Sequence, residues 1–240
     1  MINQKTLCMK KFLFTVFTIF ICTIGSAQTI QKGKKISPDL FGVFFEDINY
    51  SADGGLYAEL VQNRSFEYSP TDHADWNPFS FWEYITPGFS YGRITVETSS
   101  PVNPENPHYI VLDIEHVGHE VKYTGEAGVG IKNYGFGGIS VRAGDNYNLT
   151  LFGRQLSDEP VSVTASLQSP DGKVLAQNTF SISLKEWKKF SATLAPKESN
   201  DSARLVILAT TSGRIALDMI SLFPERTFKN HPNGLRADLA

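Results

Sequence analysis

Apolar and polar positions alternate with a period of two through most of this chain, and turn residues break the alternation at short intervals. Successive side chains of a strand point to opposite faces, so such a pattern reads as strands with one wet face. Between residues 69 and 224 it predicts strands at 81–85, 93–97, 109–115, 128–133, 138–142, 147–154, 161–168, 174–181, 188–194, 204–210 and 214–222. No apolar run at helical spacing there exceeds two turns. Turn chemistry separates the strands, with Pro-Val-Asn-Pro at 101–104, Ala-Gly-Asp-Asn at 143–146, Ser-Pro-Asp-Gly at 169–172 and Thr-Ser-Gly at 211–213. Many short strands at this spacing imply an antiparallel sandwich of jelly-roll type.

The flanks carry a different texture. Residues 41–45, Phe-Gly-Val-Phe-Phe, form a short apolar run of the kind that becomes a strand buried on both faces, and it stops at the carboxylate Glu46. A loop with Asp53, Gly54 and Gly55 follows. Leu56 and Leu60, with Tyr57 and Val61 beside them, then predict a helix from Leu56 to about Arg64. Strand, acidic tip, glycine-containing loop and helix match the first unit of a β/α barrel with a polar group at its mouth. At the other end, Asn233 is placed to cap a helix with Leu235 and Leu239 as its first apolar positions. A helix that short has nothing to pack on, so the chain reads as an incomplete polypeptide.

The N-terminus changes the picture of where the protein works. Lys10 and Lys11 precede an apolar stretch at 12–24, and Gly25-Ser26-Ala27 follow it. That is the layout of a secretory signal peptide cleaved after Ala27; the apolar run falls short of the roughly 20 residues a membrane span needs. Cys8 and Cys22 both lie in or before this signal, so the mature chain has no cysteine and relies on its own core rather than on disulfides. A net charge of −3 supplies no basic field for nucleic acid. Aromatic residues make up 12% of the chain, a content that suits sugar faces as well as cores.

Several stretches resemble a known family. Residues 41–49, Phe-Gly-Val-Phe-Phe-Glu-Asp-Ile-Asn, and 54–67, from Gly-Gly-Leu-Tyr-Ala-Glu-Leu to Arg-Ser-Phe-Glu, resemble the start of the family 51 glycoside hydrolases, the α-L-arabinofuranosidases. Residues 232–239, Pro-Asn-Gly-Leu-Arg-Ala-Asp-Leu, resemble the point where the barrel of that family resumes after an inserted sandwich. The middle, with 133–140, 149–154 and 217–222, is similar to carbohydrate-binding modules with a galactose-binding-like jelly roll. The resemblance implies a mainly β fold, a jelly-roll sandwich inserted after the first β/α unit of an incomplete (β/α)8 barrel. Its divisions are a signal at 1–27, a first barrel unit at 28–68, the sandwich at 69–225 and the resumed barrel at 226–240. It further implies the N-terminal part of an exported, periplasmic or extracellular enzyme acting on arabinose-containing polysaccharides or oligosaccharides, by a retaining mechanism with two carboxylates. Those carboxylates sit on later strands of the family's barrel, so no catalytic residue is named in this chain. No cofactor is implied. The alternative is a non-catalytic carbohydrate-binding protein.

In the family a glutamate at the end of the first strand binds arabinose, and Glu46 is the matching position; Asp47 stands where a histidine is frequent in other branches. The bland alternative for Glu46 is a structural carboxylate paired with Arg64. Trp76, Trp82, Tyr134 and Phe136 are candidates for stacking on sugar, although large aromatics in a sandwich are more often core. Glu59 and Glu67 read as solvated or structural. His116 and His119 lack a third metal ligand at useful spacing. Asp145 and Asp218 are candidates for a structural calcium, with solvated turn or strand-end roles as the competing reading. Asp53-Gly54-Gly55 lacks the rest of a phosphate-binding loop and reads as a tight turn.

Overall fold

The computed structural model describes residues 50–119 and 126–239. The run 41–45, the residues Glu46 and Asp47 and the signal segment lie outside the described residues. Among the described residues there are eleven strands: β1 (Trp82–Ile85), β2 (Tyr91–Glu97), β3 (Tyr109–His116), β4 (Val129–Asn133), β5 (Ile139–Val141), β6 (Tyr147–Gln155), β7 (Val161–Gln168), β8 (Val174–Ile182), β9 (Lys188–Leu194), β10 (Asn200–Ala209) and β11 (Gly213–Pro224). Each strand expected between residues 69 and 224 is found, most within one or two residues of its expected ends. The alternation is what places them: β6 and the first half of β7 bury every second residue.

The strands form two antiparallel sheets. One runs β1-β4-β10-β7-β8, with β5 also paired to β10; the other runs β2-β3-β11-β6-β9. Their facing sides make one core, in which Ile131, Leu167, Leu205 and Ile207 of the first sheet meet Ile110, Leu112, Leu149 and Leu217 of the second. This core reaches upstream of residue 69, taking in Val61 and the fully buried Phe66. Tyr109, Val111 and Ala216 form a small satellite cluster on the outer side of the second sheet, with Leu156 and Trp187 packed against it. No helix among the described residues is long and apolar enough to cross a membrane.

Both flanking helices expected from the sequence are absent from the described residues, and the hydrogen bonds explain why. The segment from Leu56 onward sends its backbone bonds across the chain instead of along a helix. Ala58 N–H donates to Gly234 O at 3.1 Å, Leu60 N–H to Leu222 O at 3.0 Å and Arg236 N–H to Leu56 O at 2.9 Å. Residues Leu235 and Arg236, expected in the second helix, lie extended and bridge to Tyr57 and Thr227. Leu56 and Leu60, expected on one helical face, part company: Leu60 packs on the core and Leu56 is exposed. A short 3-10 turn, Phe228–Asn230, precedes this contact.

Two buried polar side chains fasten the flank to the sandwich. Glu59 accepts from the N–H groups of Leu60, Val61 and Leu222 on Oε1 and from the Ser221 hydroxyl on Oε2. Asn133, at the end of β4, accepts from Gln62 N–H and Gly135 N–H and donates to the carbonyls of Gln62 and Phe81. Such side chains replace the bonds a regular element would supply.

Candidate functional site

The described chain begins at Tyr50, four residues after Glu46 in the sequence. The residues that follow make a tight turn: Gly55 N–H donates to Ala52 O and Leu56 N–H to Ser51 O. Gly54 has φ +81° there, and a Cβ at this position would overlap the Phe136 ring, so glycine is required on both counts. The turn reading of Asp53-Gly54-Gly55 therefore fits, without the helix that was expected to follow it. Phe136 reaches this place on a loop whose Gly135, Gly137 and Gly138 all have positive φ.

Around that turn six rings gather. Tyr50 meets Phe136 edge-on at 5.4 Å and lies roughly parallel to Trp76 at 6.4 Å. Trp76 stacks on Tyr68 at 4.2 Å with 14° between planes, with His73 at 5.4 Å and Phe81 edge-on at 5.8 Å. None of the six is buried. Trp76 and Phe136 are among the residues singled out from the sequence; Tyr50 and Tyr68 are not. Their signal is a run of aromatics at 66, 68, 76, 79, 81 and 82 in a turn-rich stretch that precedes the first strand of the sandwich.

Trp82 is placed differently. It lies in the core against Phe66, nearly fully buried, and its indole N–H donates to Asn63 O at 2.9 Å. Tyr134 sits apart, on a half-exposed patch where its hydroxyl donates to Glu83, the Arg204 guanidinium lies 4.8 Å from the ring centre and Lys132 lies 3.2 Å from Glu83. The hydrogen bond from Tyr134 and the Lys132 ammonium hold the Glu83 carboxyl below its usual range.

Two cavities flank these residues. One, about 540 Å³, lies between the flank and the loop after β4; Tyr57, Glu59, Phe136, Arg142, Asp145 and Arg236 line it. The other, about 570 Å³, lies on the outer side of the first sheet, with Glu83, Glu126, Lys132, Gln168 and Lys173 in its wall. Glu126 accepts from Gln168 Nε2 at 2.7 Å, and burial raises its pKa.

The remaining carboxylates have structural surroundings. Burial raises the Glu59 pKa against the four hydrogen bonds that favour its ionised form, and Arg64 Nη1 stands 3.7 Å away. Arg64 also approaches Asp53 at 3.8 Å. Glu67 is bound to His108, accepting from its backbone N–H at 2.8 Å and meeting its ring at 2.5 Å. Asp218 is fully buried at an irregular point of β11, beside Met219 with φ +49°. Its Oδ1 accepts from Met219 N–H, its Oδ2 has no partner, and burial pushes its pKa up to about 7. Asp145 lines the first cavity, so the two candidate calcium ligands occupy different surroundings. His116 and His119 stack on Tyr91 and Phe89 respectively. Among the described residues no group of three His, Cys, Asp or Glu side chains is placed to hold a metal.

Comparison with known proteins shows what this chain is similar to. No family model matches the chain. It is 37% identical over 210 residues to an extracellular exo-α-L-arabinofuranosidase of Streptomyces chartreusis, which covers 87% of this chain and 23% of that protein. It is 34% identical over 212 residues to α-L-arabinofuranosidase 1 of Arabidopsis thaliana, covering 86% of this chain and 30% of that protein. An arabinose-bound α-L-arabinofuranosidase structure, MgGH51, superposes with a TM-score of 0.67 at 34% identity, over 81% of this chain and 31% of the solved one. The chain thus spans about a quarter to a third of the length of the relatives it matches.

Proposed function

From its relationship to the family 51 α-L-arabinofuranosidases, we propose that this chain is the N-terminal part of an exported enzyme that removes terminal α-L-arabinofuranosyl residues from plant polysaccharides. The observation that carries the reading is the agreement of sequence and shape with the arabinose-bound enzyme, 34% identity at a TM-score of 0.67. Further support comes from the flanks. The chain enters and leaves the sandwich at neighbouring points, Leu60 beside Leu222 and Ala58 beside Gly234, which is the arrangement an inserted domain requires. In this reading the flanks at 28–68 and 226–240 connect to the barrel and 69–225 is the inserted sandwich, whose core also takes in Val61 and Phe66.

Glu46 is assigned to hold the arabinose, its carboxylate accepting hydrogen bonds from sugar hydroxyls. Bond cleavage falls to two further carboxylates, an acid/base and a nucleophile about 5–5.5 Å apart as retention demands, on strands beyond residue 240. The test is hydrolysis of 4-nitrophenyl α-L-arabinofuranoside by the protein expressed from its whole reading frame and by the 240-residue chain. The first is expected to release arabinose and the second not. Glu46→Gln in the active protein should lower kcat/KM by about 10²-fold, the cost of two well-aligned hydrogen bonds to a charged group. Turnover by the 240-residue chain alone, or a Glu46→Gln protein with unchanged kinetics, refutes the assignment.

The polar cavity on the outer side of the first sheet favours a second reading, in which the sandwich binds carbohydrate without cleaving it. Calorimetric titration of the chain with arabinoxylan and arabinan checks this, and absence of heat with every glycan rejects it.

A further inference from the structure

The outer face of the first sheet carries a trough built from the sandwich alone. Glu83, Lys132, Val206, Ser166 and Gln177 stand side by side in register across β1, β4, β10, β7 and β8. Paired residues of neighbouring strands share a face, so the row crosses the sheet, and five strands at ordinary spacing make it about 19 Å long. The short side chains of Val206 and Ser166 lie between the longer ones of Lys132 and Gln177. Two cavities lie along this row. One, of about 570 Å³, has Glu83 and Gln168 in its wall; the other, of about 350 Å³, has Thr164, Gln177 and Leu208. Glu126 stands in the wall of both. The described residues lining the two cavities fall between 83 and 210, and none belongs to a flank.

The chemistry of the trough narrows its occupant. Gln168, 8% exposed, donates from Nε2 to Glu126 at 2.7 Å and to Ser166 at 2.9 Å, which fixes the amide and the carboxylate in one orientation. Tyr84, 38% exposed, adds a ring to the same wall. Carboxylate and amide groups bond sugar hydroxyls, and an aromatic ring takes a C–H face. The lysines of the wall are already matched: Lys132 lies 3.2 Å from Glu83 and Lys173 lies 2.6 Å from Glu198. An acidic sugar would have to break such a pair, and it would meet the carboxylates of Glu126 and Asp171 as well. Hydroxyl groups exchange water for protein partners without desolvating a charge of their own.

We propose that this trough binds one uncharged polysaccharide chain lengthwise across the strands, with Glu126 and Gln168 bonded to its hydroxyls midway. The inference rests on the reading of the sandwich as carbohydrate-binding, and adds the place, the charge class and the direction of the bound chain.

The experiment is calorimetric titration of the 240-residue chain with linear hexamers of xylose, of arabinose and of galacturonic acid, and with the matching neutral trimers. Wild type, Glu126→Ala and Gln177→Ala are compared. One neutral hexamer at least should bind, at least about fivefold more tightly than its trimer, and the galacturonate hexamer about tenfold more weakly. Loss of a hydrogen bond to a charged group should make Glu126→Ala about tenfold weaker for the neutral hexamer. Gln177 is exposed, so Gln177→Ala keeps the fold; it should weaken the hexamer about threefold and decides the matter if Glu126→Ala does not fold. Binding of a neutral hexamer that survives both substitutions overturns the proposal and leaves the carbohydrate-binding reading standing. Absence of heat with every sugar overturns both. Equal affinity for trimer and hexamer overturns the lengthwise chain, and galacturonate binding as tight as the neutral hexamers overturns the charge class.

Discussion

Among the described carboxyl groups, Asp218 is the one burial displaces to about 7, and it contributes a definite share of the expected response to pH. It is buried, one of its oxygens has no partner, and its pKa rises from 3.8 to about 7. A raised pKa in the folded state means that folding favours the protonated form. The stability associated with that proton is fully present below about pH 4 and is lost as pH climbs through about 7. Burial pushes Glu59 and Glu126 in the same direction. Asp171 and Asp201, whose pKa values fall through hydrogen bonds from Ser169 and Arg142, act in the opposite sense, but both are fully exposed and weigh little. Asp218→Asn should therefore flatten the decline of Tm between pH 5 and 8 and melt above wild type at pH 8. A variant melting below wild type at pH 8 contradicts this. Nothing in the sequence around Asp218 announces its burial: it occupies one position in a long strand pattern, and a local irregularity of β11 decides where it points.

At the scale of elements, the strands were legible and the flanks were not. Alternation of the kind seen in 147–155 needs only two sheet faces to be satisfied, and those faces are made by the sandwich itself. The stretch 56–64 is different. Its apolar residues at i, i+4 spacing fit a helix, yet Leu60 and Ala58 N–H find the carbonyls of Leu222 and Gly234, 162 and 176 residues away in sequence. Tertiary pairing overrides a short local preference. The same holds for 233–239, where Leu235 pairs with Tyr57. The aromatic cluster was half legible: Trp76 and Phe136 stand out by residue type, whereas their meeting with Tyr50 depends on three left-handed glycines after Tyr134. Glu59 is the side chain that holds this contact between segments. Glu59→Ala strands the N–H groups of Val61 and Leu222 and the Ser221 hydroxyl, while Leu60 N–H keeps Leu222 O; at about 1–3 kcal/mol for each group left unpaired, it should destabilise the chain by at least ~3 kcal/mol in urea titration. Glu59→Gln keeps one oxygen for the three N–H groups and lets the Ser221 hydroxyl turn and accept, so it should cost under half as much. Equal costs for the two variants would point to charge, not hydrogen bonding, as the source.

For the whole described molecule, both sheets line a common core that also takes in Val61 and Phe66. Unfolding followed by far-UV dichroism, which sees the strands, and by tryptophan fluorescence, which sees Trp82 beside Phe66, Trp76 beside Tyr68 and Trp187 on the outer cluster, should give coincident transitions. A fluorescence change that precedes the loss of strand signal would show the flank detaching first. Both cysteines lie at or before residue 22, so reductant should leave the midpoint where it is.

The neighbouring entry and exit points of the chain have a consequence for how such a molecule can change over time. Leu60 and Leu222 are linked by a backbone hydrogen bond of 3.0 Å, so everything between them is a closed excursion that begins and ends at one doorstep. Lengthening, replacing or deleting that excursion leaves the distance to be bridged unchanged, and loop-closure entropy grows only slowly with length. The sandwich can thus diverge, or be exchanged for another fold with adjacent ends, while the surrounding chain keeps its course.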